Sequence, residues 1–236
     1  MPRHRESISE IAASSRHLDL RDFEDAGIRV AGRPFGARDL VFAAGDPDGQ
    51  LYFLLEGTVR LYKVYGGYKE ATVALIKDRG VFGEPGLEEG GRQRCFAEAL
   101  TEARVAAVRK PVLTEIVKRH PAFARKLFFS LSDRLRQSDQ AIESLLSREV
   151  SARLARLLLN LGERFGESTG SGTVLKVRLT HQDLANMIVS TREAVSKVMG
   201  EFQREGLIEV RNSRIYLTPQ LEDVPSLFSR AAQAIL

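Results

Sequence analysis

The sequence predicts an α+β chain in three parts: a small β-roll, a long helix, and a helical unit closed by a β-hairpin. Three observations carry this. Short runs rich in β-branched and aromatic residues, punctuated by Gly, Pro and Asp, fill about 29–110. A helical pattern with apolar residues spaced by three and four runs over about 122–149. Two short amphipathic helices, each opened by a threonine, lie near 180–202 and precede two strand-like runs. The expected segments are 1–24 (N-terminal tail and helix), 25–120 (roll), 121–149 (long helix), 150–219 (helical unit with its hairpin) and 220–236 (tail).

With 236 residues the chain has room for one large domain or two ordinary ones. Apolar residues make up 43%, enough for proper cores, and a formal net charge of +4 suits an anionic partner. The single cysteine, Cys95, excludes an intrachain disulfide framework, a four-cysteine zinc site and a cysteine-held iron–sulfur cluster. The basic start, Met1-Pro2-Arg3-His4-Arg5, has no apolar h-region, and no apolar run approaches bilayer length. A cytoplasmic location without membrane partners is expected. Four histidines and one cysteine assemble no catalytic constellation, so neither an enzyme nor a metal site is expected. His120 is a lone histidine before Pro121, which is far more often structural than a haem ligand.

In the roll region, Leu40-Val41-Phe42, Leu51-Tyr52-Phe53-Leu54-Leu55, Val59 to Tyr65 and Ala71 to Ile76 read as strands. Gly45-Asp46-Pro47-Asp48-Gly49, Glu56-Gly57, Gly66-Gly67 and Asp78-Arg79-Gly80 read as the turns between them. Phe96 to Leu100 and Ala103 to Val108 form a second group. Upstream, Ile8, Ile11 and Leu18 are candidate docking residues of a short N-terminal helix; downstream, the tail with Leu227, Phe228 and Ile235 is expected either to form a docking helix or to fray. On the long helix, Phe128, Leu131, Leu135, Ser138, Ile142 and Leu145 form a heptad seam. Its length and flanking charges favour pairing with a second copy over packing on the roll alone. Ser138 is a polar interruption of that seam.

A fresh helix is expected over about 152–165, then a loop from Gly166 to Thr173 and a strand from Val174 to Leu179. Thr180 caps the next helix, with Leu184, Met187 and Ile188 on one face. Ser190-Thr191 restarts a second helix, whose buried face is Val195, Val198, Met199 and Phe202. Arg192, Glu193, Ser196 and Lys197 then project together near its N-terminal end, the end that enters the major groove in a helix-turn-helix. Leu207 to Val210 and Arg214 to Leu217 close a β-hairpin and make the unit a winged helix-turn-helix. Thr180, His181, Gln182, Thr191 and Ser196 are candidate phosphate contacts, with Arg211 and Arg214 on the wing. The plainer alternative is an αα-hairpin with a solvated charged face.

A cyclic-nucleotide-binding-type β-roll, a long dimerisation helix and a winged helix-turn-helix, in that order, resemble the layout of the CRP/FNR family of bacterial transcription regulators. Three places carry the resemblance: Ala44-Gly45-Asp46-Pro47 with Leu51 to Gly57; Val81-Phe82-Gly83-Glu84-Pro85-Gly86-Leu87 with Arg94; and Thr191-Arg192-Glu193 with Lys197. It implies a homodimer that binds double-stranded DNA at a TGTGA-like palindrome and works with RNA polymerase. Arg192 and Lys197 would read guanines and Glu193 the complementary cytosine. Lys197 stands where the nucleotide receptor has Arg, which implies looser reading of its base pair.

The resemblance also implies an effector site at Gly83, Glu84, Pro85, Gly86, Arg94 and Cys95, completed by Arg134, Ser138 and Asp139 of the long helix. Cyclic AMP is the effector it implies first, with Glu84 on the ribose hydroxyl and Arg94 on the phosphate. Cys95 stands where such pockets usually have Ser or Thr, and Asp139 puts a carboxylate where the base would lie. Arg94, Arg134 and Asp139 instead match the global nitrogen regulators, which implies 2-oxoglutarate; Glu84 would oppose a dicarboxylate. An effector-independent regulator is a third reading. A cyclic-nucleotide-binding module without DNA function, as in kinase regulatory subunits, is the alternative of another class. An Arg192→Ala chain that still bound operator normally would favour it.

Overall fold

The computed structural model describes residues 18–47, 49–77, 79–84, 91–145, 147, 149–170 and 172–224. The expected docking residues Ile8, Ile11, Leu227, Phe228 and Ile235, and the cassette residues Pro85, Gly86 and Leu87, lie outside that set. The chain divides into two compact units, 1–64 with 73–138 and 65–72 with 139–236.

The first unit starts with helix α1 (Leu20–Asp25), fixed by a reciprocal capping box between Asp19 and Asp22. Eight strands follow: β1 (Arg33–Phe35), β2 (Leu40–Phe42), β3 (Gln50–Glu56), β4 (Thr58–Tyr65), β5 (Lys69–Lys77), β6 (Val81–Phe82), β7 (Phe96–Ala99) and β8 (Ala103–Arg109). They form two four-stranded sheets, ordered β1-β8-β3-β6 and β2-β7-β4-β5. The space between the sheets is filled by Phe42, Leu54, Val59, Leu61, Ile76, Phe82, Ala97 and Val105. A second cluster joins Phe23, Leu51, Phe53, Val81, Val108, Leu113, Ile116 and Phe123. Strand β3 therefore sends alternate side chains into two cores, which explains its nearly continuous apolar run. The β3–β4 turn needs Gly57: its φ is +94°, and a Cβ would sit 2.3 Å from the Glu102 carbonyl oxygen.

Two helices complete this part, α2 (Lys110–Arg119) and α3 (Pro121–Leu145). Lys126 reaches Asp22 of α1 across 2.7 Å, with both side chains mostly buried. Leu127 and Leu131 of α3 pack on the second cluster. Leu131, expected at the pairing seam, thus also serves the chain's own core. Phe128, Leu135 and Ile142, each seven residues from the next, stay exposed at 66%, 66% and 62%. The helix stops at Leu145, four residues before the expected end.

The second unit is built on α4 (Val150–Phe165), whose Ala152, Leu154, Ala155, Leu158, Leu161 and Phe165 are buried. The expected loop at 166–173 is instead mostly a hairpin: β9 (Gly166–Thr169) pairs antiparallel with β10 (Gly172–Leu175). Polar Glu167-Ser168-Thr169 concealed it, because their ladder partners, rather than their own apolar pattern, make them a strand. Helices α5 (His181–Ile188) and α6 (Arg192–Arg204) follow, then β11 (Ile208–Arg211) and β12 (Arg214–Leu217). The four strands make one sheet ordered β11-β12-β10-β9. Asn212 and Ser213, with φ of 51° and 60°, form the tight turn of the wing.

Candidate DNA interface and effector site

Helix α5 starts at a second capping box. The Asp183 backbone N–H donates to Thr180 Oγ1 (3.1 Å), and the Thr180 N–H donates back to Asp183 Oδ2 (2.9 Å). Asp183, passed over in the sequence, was legible as Thr-x-x-Asp. Thr191 caps α6, its hydroxyl oxygen accepting from the Ala194 N–H at 3.2 Å. Between the helices Val189 adopts the left-handed conformation, φ 51° and ψ 57°, while the Ser190 N–H bonds the Ala185 carbonyl oxygen at 3.0 Å. Leu184, Ala185 and Ile188 of α5, and Val195, Val198, Met199 and Phe202 of α6, are buried.

That packing leaves Arg192, Glu193 and Lys197 exposed along one edge of α6. Most of the other expected DNA contacts carry a structural hydrogen bond or ion pair, while Arg214 on the wing is exposed. Thr180 and Thr191 are helix caps. Ser196 is half-buried and shares a 2.8 Å hydrogen bond with His181 Nδ1, tying α6 to α5. Gln182 Nε2 donates to Asn186 Oδ1 at 2.8 Å. On the wing, Arg211 pairs with Glu209.

In the first unit the cassette begins on β6. Gly83 has φ +82°; a Cβ there would lie 2.6 Å from Tyr52 Cδ2 and 3.2 Å from Gln93 Nε2. Only glycine lets the backbone turn this close to the Tyr52 ring, which stacks on Phe82 at 5.4 Å. Gln93 Nε2 donates to the Gly83 carbonyl oxygen at 3.2 Å and braces the turn. Glu84 is gripped by Arg134 of α3 through both guanidinium nitrogens, Nη1 donating to Oε2 at 2.6 Å and Nη2 to Oε1. Arg134 Nη1 also points at the Val81 carbonyl oxygen, 3.4 Å away.

This bidentate pair was not foreseen: the two residues are 50 apart in sequence, and no local pattern links them. In this arrangement Arg134, expected among the effector-binding cations, is engaged by the Glu84 carboxylate. Ser138 donates to the Arg134 carbonyl oxygen at 3.1 Å. Arg94 is exposed, and Cys95 is half-buried against the roll core. Burial pushes the Cys95 thiol above its ordinary pKa; Arg134 and Lys63 pull it down, and Glu84 pushes it up. Asp139 is exposed and belongs to the second unit. Among the described residues no group of three or more His, Cys, Asp or Glu side chains is placed to hold a metal ion, and no helix is long and apolar enough to cross a membrane.

A roll with a cassette turn, joined in one chain to a winged helix-turn-helix, defines a class of DNA-binding transcription regulators. Residues 32–120 match the family model of the cyclic nucleotide-binding domain, and residues 152–223 that of the Crp-like helix-turn-helix domain. The chain is 33% identical over 183 residues to the global nitrogen regulator of Synechocystis sp., covering 77% of this chain and 81% of that protein. It is 26% identical over 210 residues to the CRP-like cAMP-activated global transcriptional regulator of Mycobacterium tuberculosis, covering 89% and 88%. A CRP/FNR-family transcriptional regulator of Thermus thermophilus superposes with a TM-score of 0.69 at 31% identity, over 83% of this chain and 98% of that one. The chain belongs to the CRP/FNR family of transcription regulators.

Proposed function

We propose that the chain is a cytoplasmic, homodimeric reader of a palindromic DNA site, controlled by a small anionic effector held at the cassette of the roll. The observation that carries the reading is the exposed row Arg192, Glu193 and Lys197 on a helix whose opposite face is buried. Arg192 forks onto guanine O6 and N7, Glu193 accepts from cytosine N4, and Lys197 reaches a second guanine as a point charge. The half-site is TGTGA-like, repeated about one helical turn away. Residues 25–120 hold the effector, 121–149 pair the two copies, 150–219 read DNA, and RNA polymerase is the partner on DNA.

Two effector readings have specific support. Cyclic AMP is supported by the cyclic nucleotide-binding family model and by Glu84. A carboxylate has several lone pairs, so Glu84 can keep Arg134 and still accept from a ribose hydroxyl. 2-Oxoglutarate is supported by the likeness to global nitrogen regulators. In either case the effector shifts the pairing of two copies of α3, and that pairing sets the spacing of the two α6 helices.

The test is operator affinity by fluorescence anisotropy, without effector and at saturating cyclic AMP or 2-oxoglutarate. One of them is expected to raise affinity about 5–150-fold, the usual range of allosteric coupling. Equal affinity in all three conditions contradicts effector control by either ligand.

A further inference from the structure

The tip of the β4–β5 hairpin belongs to the same compact unit as α5 and α6: residues 65–72 group with 139–236. Its turn is tight. Gly66 and Gly67 both have positive φ, 58° and 81°, and the Tyr68 N–H donates to the Tyr65 carbonyl oxygen at 3.3 Å. Such a turn fixes the start of β5, and with it Glu70, the second residue of that strand. Glu70 is half-buried, and its Oε2 accepts from Asn186 Nδ2 of α5 at 3.2 Å, across 116 residues of sequence.

Asn186 is a buried polar side chain, 8% exposed. Gln182 stands one turn earlier on the same stripe of α5, and its Nε2 donates to Asn186 Oδ1 at 2.8 Å. Glu70 sets the direction of this relay. An ionised carboxylate only accepts, so Asn186 turns its amide nitrogen to Glu70 and its oxygen to Gln182, which answers with its own nitrogen. In a helix-turn-helix the first helix crosses the DNA backbone. What serves there is a set of donors for phosphate oxygens. On this stripe of α5 the amide nitrogens turn to protein acceptors instead, and the terminal acceptor is an acidic oxygen of the kind a phosphate would present.

We propose that the hairpin tip is a built-in competitor of DNA: Glu70 stands in for a backbone phosphate at Asn186, and tight DNA binding requires Asn186 to exchange the carboxylate for the phosphate. This rests on the DNA reading above. The competition is for one donor, Asn186 Nδ2, and is independent of the base contacts of Arg192, Glu193 and Lys197. A phosphate contact carries no sequence information, so the brake acts on every duplex alike.

Fluorescence anisotropy on the full chain at fixed salt tests it, with a palindromic duplex of TGTGA-type half-sites and a scrambled duplex as probes. Wild type is compared with Glu70→Ala, Asn186→Ala and the double variant, each first checked for an unchanged thermal transition. Glu70→Ala is expected to raise affinity for both duplexes by the same factor, roughly 3–10-fold, the worth of one hydrogen bond. In the Asn186→Ala background the same substitution should change nothing, because the donor for which carboxylate and phosphate compete is gone. Unchanged or weaker binding by Glu70→Ala overturns the proposal, as does a gain confined to the palindrome. A gain that persists in the Asn186→Ala background overturns it too, since Glu70 would then act on DNA without Asn186. Glu70→Ala alone decides the first two points, so the proposal stays open to refutation even if Asn186→Ala does not fold. If wild type binds neither duplex, the DNA reading itself fails.

Discussion

Val189 carries a conformation that its side chain resists. A β-branched residue at φ 51° crowds Cβ against the following carbonyl, at roughly 1–2 kcal/mol. The side chain is 61% exposed, so little packing is lost on removing it. Val189→Gly should therefore raise the melting temperature of the second unit by about 2–4 °C, roughly 1 kcal/mol for a chain of this size; a fall would show that the valine contributes packing instead. Cys95 gives a pH-dependent prediction. Its pKa is raised chiefly by burial, so the thiol stays protonated around neutral pH. The stability this contributes is present below the unfolded thiol value, about 8.5, and is lost as pH rises through the folded one. Iodoacetamide should alkylate the native chain at pH 8 more slowly than the urea-unfolded chain, and a rate equal to that of the unfolded chain would contradict the burial. Individual roles at this scale were only partly legible. Arg192, Glu193 and Lys197 stand exposed on the expected edge, because helical periodicity separates them from Val195, Val198 and Met199. Ser196 and Gln182 were expected as phosphate contacts, and their bonds to His181 and Asn186 were not foreseen. Hydrogen bonds between two helices, or along one, leave no mark in the pattern of apolar residues.

At the scale of elements, caps and periodicity were the readable features. Thr180 and Thr191 both start helices where expected, because a hydroxyl there satisfies an otherwise orphaned backbone N–H. The hairpin β9–β10 was missed because polar residues carry no period-two signal. The long helix was found, but its seam was read too simply. Leu131 packs into the chain's own core, whereas Phe128, Leu135 and Ile142 stay open. An exposed apolar stripe of this kind suits a partner surface, and the proposed pairing with a second copy of α3 would supply one. Leu135→Asn combined with Ile142→Asn should shift the chain from dimer to monomer in light scattering while its folded helical content persists; an unchanged mass would place the pairing surface elsewhere. Leu154 on α4 is fully buried and central to the second unit. Leu154→Ala should cost about 2–5 kcal/mol in chemical unfolding of that unit. A loss below 1 kcal/mol would mean that the site collapses around the smaller side chain.

The whole molecule joins in one chain a roll of the cyclic nucleotide-binding type and a Crp-like helix-turn-helix. The order of parts was legible because strand, seam and cap signals occupy separate stretches. The pairing inside the proposed effector site was not, because Glu84 and Arg134 come from distant stretches. Only the folded arrangement shows that Glu84 and Arg134 cancel. The central claim, sequence-specific DNA reading through α6, is tested most directly by fluorescence anisotropy at fixed salt. A duplex with two TGTGA-type half-sites one turn apart is compared with a scrambled duplex, using wild type and Arg192→Ala. Wild type should prefer the palindrome by at least about 10³-fold, and Arg192→Ala should lose roughly 1–3 kcal/mol of that discrimination. Equal affinity for the two duplexes, or an Arg192→Ala chain with undiminished preference, would contradict the account.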